Sequence, residues 1–197
     1  MTVPVASPAD AAWVVIEAPL PASALAAFCA DLEKLYRINP YLEFSSWRET
    51  GPGTAIAAFR NLSNQREYKV GLTVKRSSEK EFLVSYDSGI KHSTRFEIEE
   101  TPSGSRLRIT DEYAVSGNID PAEVDRSQHA WGVALRGYLF DERRWGWCPL
   151  WQWYMRRVWI PMKPTARRIT FVILAITVAE IALISLVFAI YWIEYRS

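Results

Sequence analysis

The sequence predicts an α+β domain followed by a single membrane-spanning helix. Six segments between Leu42 and Val115 alternate apolar and polar residues, as strands with one covered face do. A segment with helical spacing of its apolar residues precedes them, and a second follows them. Further along, Ile169–Ile193 is an apolar run of 25 residues with a single charged side chain, Glu180.

The domain begins with one predicted strand and one predicted helix. Ala12–Ala18 is predicted to be a strand because β-branched residues fill its centre and Pro19 closes it. The helix is predicted to open at Pro21 and to end at Asn39-Pro40. Its apolar residues recur at three- and four-residue spacing and are Leu25, Phe28, Leu32 and Leu35.

The six alternating segments are separated by short sequences rich in Gly, Pro, Ser and Asn, which favour turns. Their predicted bounds are Leu42–Glu49, Thr54–Asn61, Glu67–Arg76, Glu81–Tyr86, Ser93–Glu99 and Arg106–Val115. A long helix is then predicted, with Asp120 as its cap and Pro121 in its first turn. Its apolar face would carry Val124, Trp131, Leu135, Tyr138 and Leu139.

This order of elements resembles the START-like or SRPBCC superfamily of helix-grip domains. That superfamily includes polyketide cyclases, plant allergen-type (Bet v 1-like) ligand carriers and coenzyme-Q-binding proteins. The resemblance covers residues 11–142 and also rests on the stretches AWVVIEAPLPASALAAF, NPYLEFSSW and LRITDEY. It implies a seven-stranded antiparallel sheet curled around the C-terminal helix, with a cavity for an apolar ligand. A membrane anchor is not part of the common pattern.

Polar residues on the last strand are candidates for ligand contact. Asp111 and Tyr113 share a strand face with Leu107 and Ile109, so they would be polar groups inside an apolar pocket if that face lines the cavity. There they would orient a ligand or perform acid–base work. Alternatively, Asp111 lies where the strand leaves the sheet and is solvated. The other candidate cavity residues, which plain core packing would also explain, are Tyr68, Tyr86, Phe96, Trp131 and Leu135.

The sequence does not predict an enzyme, although cyclase-type activity stays open. His92 and His129 are the two histidines, and neither has a second histidine at ligand spacing. We therefore predict no metal site and no cofactor. Neither a G-x-S-x-G elbow nor a phosphate-binding glycine loop occurs.

Residues 143–168 are predicted to be a membrane-interface neck. The segment contains seven basic residues, no acidic ones and five of the nine tryptophans. Trp, Arg and Lys favour the headgroup layer because each combines an apolar body with a polar end. Basic segments with aromatics also bind nucleic acid, but the neighbouring apolar run favours lipid, and we predict no nucleic-acid partner. The predicted interface residues are Trp145, Trp147, Trp151, Trp153, Arg156, Arg157, Trp159, Lys163, Arg167 and Arg168.

Apolar residues on every face for seven turns distinguish Ile169–Ile193 from a buried globular helix and predict a transmembrane anchor. Glu180 near its middle is costly in lipid unless it is paired or protonated. The small residues of the helix would let a partner helix approach closely. The predicted intramembrane partner contacts are Ala175, Ala179, Glu180 and Ala182.

The predicted organisation is a tail (1–10), a START-like domain (11–142), the neck (143–168), the span (169–193) and a short tail (194–197). The basic flank places the N-terminal domain in the cytoplasm, and we expect a single-pass, tail-anchored protein of a bacterial inner membrane. Two hypotheses follow. Either the protein binds a quinone, polyprenoid or other lipid at the membrane surface, or it is an accessory subunit of an integral membrane complex.

Overall fold

The fold was obtained as a computed structural model that describes residues 11–113 and 121–196. The predicted end of the last strand at Val115, the predicted cap Asp120 and the predicted tail 1–10 lie outside these residues. Contacts divide the chain into two compact units, Met1–Pro161 and Met162–Ser197.

The first unit contains one seven-stranded antiparallel sheet, which confirms the predicted fold class. The strands follow the order β1-β7-β6-β5-β4-β3-β2, so β1 and β2 form its two edges. Their bounds are β1 Ala11–Ala18, β2 Leu42–Gly51, β3 Thr54–Asn61, β4 Arg66–Arg76, β5 Glu81–Tyr86, β6 Lys91–Thr101 and β7 Gly104–Tyr113. Each predicted strand is present. The alternation of apolar and polar residues indicated these strands, since it gives each of them one face that packs on the core.

The helix predicted between the first two strands is broken into two, α1 (Ala22–Ala30) and α2 (Leu32–Arg37). The break lies at Asp31, whose carboxylate accepts a 3.0 Å hydrogen bond from the Lys34 backbone N–H and so caps α2. The prediction of one continuous helix was therefore wrong. The apolar spacing continues across the break because both short helices pack on the same core.

The long helix α3 (Pro121–Trp145) packs across the inner face of the sheet, which we define as the face that carries the buried residues. Trp131, Leu135 and Leu139 are fully buried there. Gly132 allows α3 to approach β1 closely, since a Cβ at this position would lie 2.5 Å from the Val14 side chain. The predicted helix-grip arrangement is thus confirmed.

The neck differs from its prediction. A short helix α4 (Pro149–Tyr154) continues as one π-helical turn, Met155–Trp159. Its apolar face packs against the domain, because Met155 and Ile160 are buried as part of the hydrophobic core. The segment predicted to face the membrane interface therefore also packs part of its apolar surface inside the first unit.

The second unit is one helix, α5 (Pro164–Arg196). It begins five residues before the predicted span, since Pro164 suits the first turn of a helix. Arg167 and Arg168 therefore belong to this helix and not to the neck. Residues Pro164–Tyr195 form a segment long and apolar enough to cross a membrane.

Candidate functional site

A cavity of about 200 Å³, which we call the inner cavity, lies between α2 and the inner face of the sheet. Strands β2, β3 and β4 supply most of its wall, and one side is closed by Ser127 of α3. Aromatic rings dominate this wall. Four of the rings form a chain of contacts. Between ring centres, the distances are 5.8 Å from Trp47 to Phe44, 5.3 Å from Phe44 to Phe59 and 5.6 Å from Phe59 to Tyr68.

An irregularity in β2 brings two of these rings to the same face. The register of β2 against β3 shifts between Phe44, which pairs with Phe59, and Ser46, which pairs with Ala58. Such a bulge adds one residue to the strand and reverses the alternation beyond it. Phe44 and Trp47, three residues apart, consequently both line the inner cavity.

One end of the inner cavity is polar. The hydroxyls of Tyr36 and Tyr86 are 2.5 Å apart, and that of Tyr86 is 2.8 Å from the Thr94 hydroxyl. Thr94 in turn donates a 2.5 Å hydrogen bond to Asp111. A row of hydroxyl groups therefore connects the cavity wall to a carboxylate that has no exposed surface.

Asp111 is held by three side chains. Lys91 forms an ion pair with it, Thr94 donates to its other oxygen, and the Tyr113 hydroxyl donates weakly at 3.4 Å. The Lys91 ammonium also lies 5.7 Å from the centre of the Trp131 ring. Because Asp111 is fully buried, the alternative in which it is solvated is wrong.

Burial raises the pKa of the Tyr36, Tyr86 and Tyr113 phenols above their usual value, and the nearby charge of Asp111 raises each further. These groups therefore stay protonated at neutral pH. They can donate and accept hydrogen bonds, but they do not act as bases there. The polar end of the inner cavity can therefore hydrogen-bond a polar group without exchanging a proton with it.

The structure divides the seven predicted cavity residues into two groups. Tyr68, Tyr86 and Tyr113 line the inner cavity. The other four lie behind its wall in the fully buried core and are Phe96, Asp111, Trp131 and Leu135. Their assignment to the cavity is corrected because strand alternation and helical spacing identify residues that face the core, but do not show which of them line a cavity.

Several lining residues were missed from the sequence. Tyr36 was overlooked because the prediction of a helix does not show which of its side chains reach the cavity. Trp47 was overlooked because the bulge breaks the alternation, and Lys91 because it precedes the predicted start of its strand. The aromatic content of the stretch Leu42–Trp47 was the one signal available.

The neck tryptophans also fall into two groups. Trp145, Trp147 and Trp153 are exposed, with 42%, 77% and 58% of their surface accessible. Trp151 and Trp159 are half-buried and pack against the core, and the Trp159 ring lies 5.9 Å from that of Tyr138. Arg156 and Arg157 are exposed on the same segment, whereas Lys163, Arg167 and Arg168 belong to the second unit.

The predicted partner contacts do not share one face of α5. Successive residues of an α-helix are rotated by about 100°, so Glu180 lies roughly 130° from the stripe of Ala175, Ala179 and Ala182. The predicted partner contacts therefore belong to two faces of the helix, one with Glu180 and one with the alanines. The Thr177 hydroxyl, one turn from Glu180, donates to the Ile173 carbonyl at 3.0 Å.

Within residues 11–113 and 121–196, no group of three or more His, Cys, Asp or Glu side chains is arranged to hold a metal ion. Both cysteines are free thiols. Burial raises the pKa of Cys29 to about 12, so its thiol is unreactive at neutral pH.

Comparison with known proteins gives a match at the level of structure. No protein-family model and no curated protein matches the sequence. A START superfamily protein from Mycobacterium smegmatis is 14% identical, covers 66% of this chain and 96% of its own, and has a TM-score of 0.53. The Zhui aromatase/cyclase from a Streptomyces species is 15% identical, with coverages of 68% and 95% and a TM-score of 0.53. A protein from Thermus thermophilus is 12% identical, with coverages of 66% and 95% and a TM-score of 0.51. At these identities the likeness establishes the fold.

Proposed function

We propose that this START-like domain binds a neutral, largely apolar molecule in the inner cavity at the cytoplasmic surface of a bacterial inner membrane. The ligand class is a quinone, a polyprenoid or another lipid with a small polar head. The observation that carries the proposal is the pairing of aromatic rings in the wall with a polar end held by the buried Asp111.

The charge balance at the polar end favours a neutral head group. Lys91 is the cation at this end of the wall, beside Tyr113, and its charge is balanced by its ion pair with Asp111. Arg66, the other cation of the lining, is exposed to solvent. An ammonium has three N–H donors, so two remain to bind an oxygen of the ligand. A carboxylate would compete with Asp111 for the same cation, whereas a carbonyl or hydroxyl would not.

The same geometry favours binding over catalysis. One structural neighbour is an aromatase/cyclase, and cyclase activity of this chain is the competing proposal. It would need a side chain that takes or gives a proton near neutral pH. The phenols of the wall stay protonated, and the Asp111 carboxylate is separated from the cavity by Lys91, Thr94 and Tyr113.

The surface of the first unit supports membrane attachment. Trp145, Trp147 and Trp153 are exposed next to Arg156 and Arg157, a combination suited to the headgroup layer. The basic residues that precede the apolar run favour the cytoplasmic side for the domain. Protease added to inverted membrane vesicles should therefore digest the domain, whereas right-side-out vesicles should protect it. The opposite pattern would reverse the proposed orientation.

The ligand proposal is tested by filling the inner cavity. Ala57 lines it from β3, and Ala57→Phe should remove space that the ligand needs. Ala58→Phe is the matched control, because the neighbouring residue lies on the outer face of the same strand. Full-length proteins purified in mild detergent would be compared by native mass spectrometry. We expect wild type and Ala58→Phe to retain a copurifying small molecule that Ala57→Phe lacks.

Retention of the same molecule by a folded Ala57→Phe protein would overturn the ligand proposal. Circular dichroism of each protein establishes whether the variant is folded. The mass of the retained molecule also distinguishes quinones from polyprenols and acyl lipids.

A second candidate function is that of an accessory subunit. The observation that favours it is Glu180, an ionisable side chain near the middle of a segment that is otherwise apolar. Because Glu180 and the alanine stripe lie on different faces, each face has its own test. Glu180→Leu and Ala179→Ile would be compared with wild type by native-gel migration of membrane extracts. Unchanged migration of both variants would count against a partner helix.

A further inference from the structure

A second cavity of about 570 Å³, which we call the outer cavity, lies at the other end of the same sheet face. It is bounded by the junction between α1 and α2, by the β2–β3 turn and by β4. Its apolar lining residues are Ala30, Leu32, Trp47, Pro52, Ala55, Leu72 and Val74.

The two cavities share walls. Trp47 and Leu72 line both of them. On β3, Ala57 faces the inner cavity and Ala55, two residues away, faces the outer one. Residues two apart on a strand point to the same face and are separated by about 7 Å. The cavities are therefore successive parts of one surface, whose outer part is also lined by Glu49, Thr54 and Arg76.

Trp47 is the residue that divides this surface. Its indole lies 6.1 Å from the Tyr36 ring across the space between β2 and α2. The β2 bulge that turns Trp47 inward thus places a large side chain between the two cavities. Trp47 therefore contacts both cavities, as does Leu72 on β4.

Volume limits what the inner cavity can hold alone. Ligand sites in proteins occupy roughly 300–1,000 Å³. The inner cavity, at about 200 Å³, is below this range, whereas the outer cavity, at about 570 Å³, and the two cavities together fall within it. The inner cavity alone would hold a head group with a short tail.

The outer cavity lies close to the neck. On either side of the α1–α2 junction in its wall, the Phe28 ring and the Lys34 ammonium lie 5.5 Å and 5.0 Å from the centre of the Tyr138 ring. The Trp159 ring of the neck lies 5.9 Å from the same ring. By contrast, Ser127, the α3 residue of the inner cavity, precedes Tyr138 by eleven residues, or about 17 Å along the helix. A tail in the outer cavity would therefore lie nearer the neck than a head group in the inner cavity.

We propose that the two cavities form one site for a single isoprenoid or acyl chain taken from the membrane. The head group binds near Lys91 in the inner cavity, and the tail passes Trp47 into the outer cavity beside the neck. This inference rests on the proposed function, since it assigns the tail of the ligand that the inner cavity binds.

The test uses two neutral prenols with the same head, geraniol and geranylgeraniol, and the full-length protein in one detergent. Ala55→Phe fills the outer cavity, and Ile56→Phe on the opposite face of β3 is its control. Radiolabelled prenols are measured by equilibrium gel filtration. Partition into detergent is the same for every variant, so the ratio of affinities to wild type reports on the protein alone.

We expect Ala55→Phe to weaken geranylgeraniol binding about tenfold or more, because the phenyl ring displaces several tail carbons that the outer cavity would otherwise bury. Binding of geraniol, whose shorter tail does not reach the outer cavity, should be unchanged. Ile56→Phe should bind both as wild type does. Val74→Phe narrows the same cavity from β4 and replaces Ala55→Phe if that protein does not fold.

Equal affinity of wild type and Ala55→Phe for geranylgeraniol, with geraniol still bound, would overturn the two-part site and leave the proposed function intact. Failure of wild type to bind either prenol would overturn this inference. The native mass spectrum then decides the proposed function separately.

Discussion

The Thr94 hydroxyl donates a 2.5 Å hydrogen bond to Asp111, and neither side chain has exposed surface. A hydroxyl has one proton, so Thr94 must accept from Tyr86, and Tyr86 must accept from Tyr36. All three protons consequently point toward the carboxylate. Thr94 is the link that fixes this direction, and the Tyr36 oxygen retains only acceptor capacity.

Thr94→Val tests this link, because valine keeps the shape and removes the donor. We expect a loss of about 1–3 kcal/mol in the free energy of unfolding, since Asp111 and Tyr86 each lose a buried partner. Urea unfolding of the purified full-length protein measures it. Thr110→Val, at a half-exposed position on the other face of β7, is the control and should stay within about 0.5 kcal/mol of wild type. Equal losses in the two variants would remove the special role of Thr94.

Stability should fall at high pH because of the buried phenols. Burial raises the pKa of Tyr36, Tyr86, Tyr113 and Tyr138, so their native forms stay protonated where the unfolded chain ionises. Their contribution is complete below the unfolded pKa of about 10 and is lost as pH rises toward the native values. Above the unfolded pKa, each phenol should lower the free energy of unfolding by roughly 1.4 kcal/mol per pH unit.

Urea unfolding between pH of about 9 and about 11 measures this dependence. Above a pH of about 10, Tyr113→Phe should make the free energy of unfolding fall less steeply with pH, because one phenol no longer contributes. A slope identical to that of wild type would show that Tyr113 does not contribute to it.

The sheet could be predicted from the sequence because its signal is local. Each strand pairs with a neighbour through residues that alternate between core and solvent, and one slip in register would expose the whole apolar face. The strands found in the structure therefore lie close to the predicted segments. The packing of α3 followed from the same reasoning, since Trp131, Leu135 and Leu139 recur at helical spacing.

The cavity and the neck could not be predicted in the same way. The bulge that turns Trp47 inward depends on how β2 pairs with β3, and the cap at Asp31 depends on the path between two helices. For Met155, an apolar helix face looks the same whether it meets lipid or a protein core. In each case the deciding contact lies far away in the sequence.

Two glycines of α3 should respond oppositely to the same substitution. Gly132→Ala would place a Cβ 2.5 Å from Val14, a short and stiff side chain, and should cost about 1–3 kcal/mol in the free energy of unfolding. Gly137→Ala meets no atom within 4 Å and should stabilise the helix by up to about 1 kcal/mol. Thermal unfolding of both variants measures the difference. Recovery of Gly132→Ala by Val14→Ala would assign the loss to this contact, and a stable Gly132→Ala protein would contradict it.

The packing of the neck predicts where the folded domain ends. The sequence predicts a domain that ends at residue 142, but the core also contains Met155 and Ile160. We expect a fragment of residues 1–161 to be soluble and folded, and residues 1–142 to be roughly 2–5 kcal/mol less stable because these two side chains are lost. Urea unfolding of both fragments measures this. Met155→Ala with Ile160→Ala in the longer fragment should reproduce most of the loss. Equal stability of the two fragments would show that the neck does not support the core and that its whole apolar face is free for lipid.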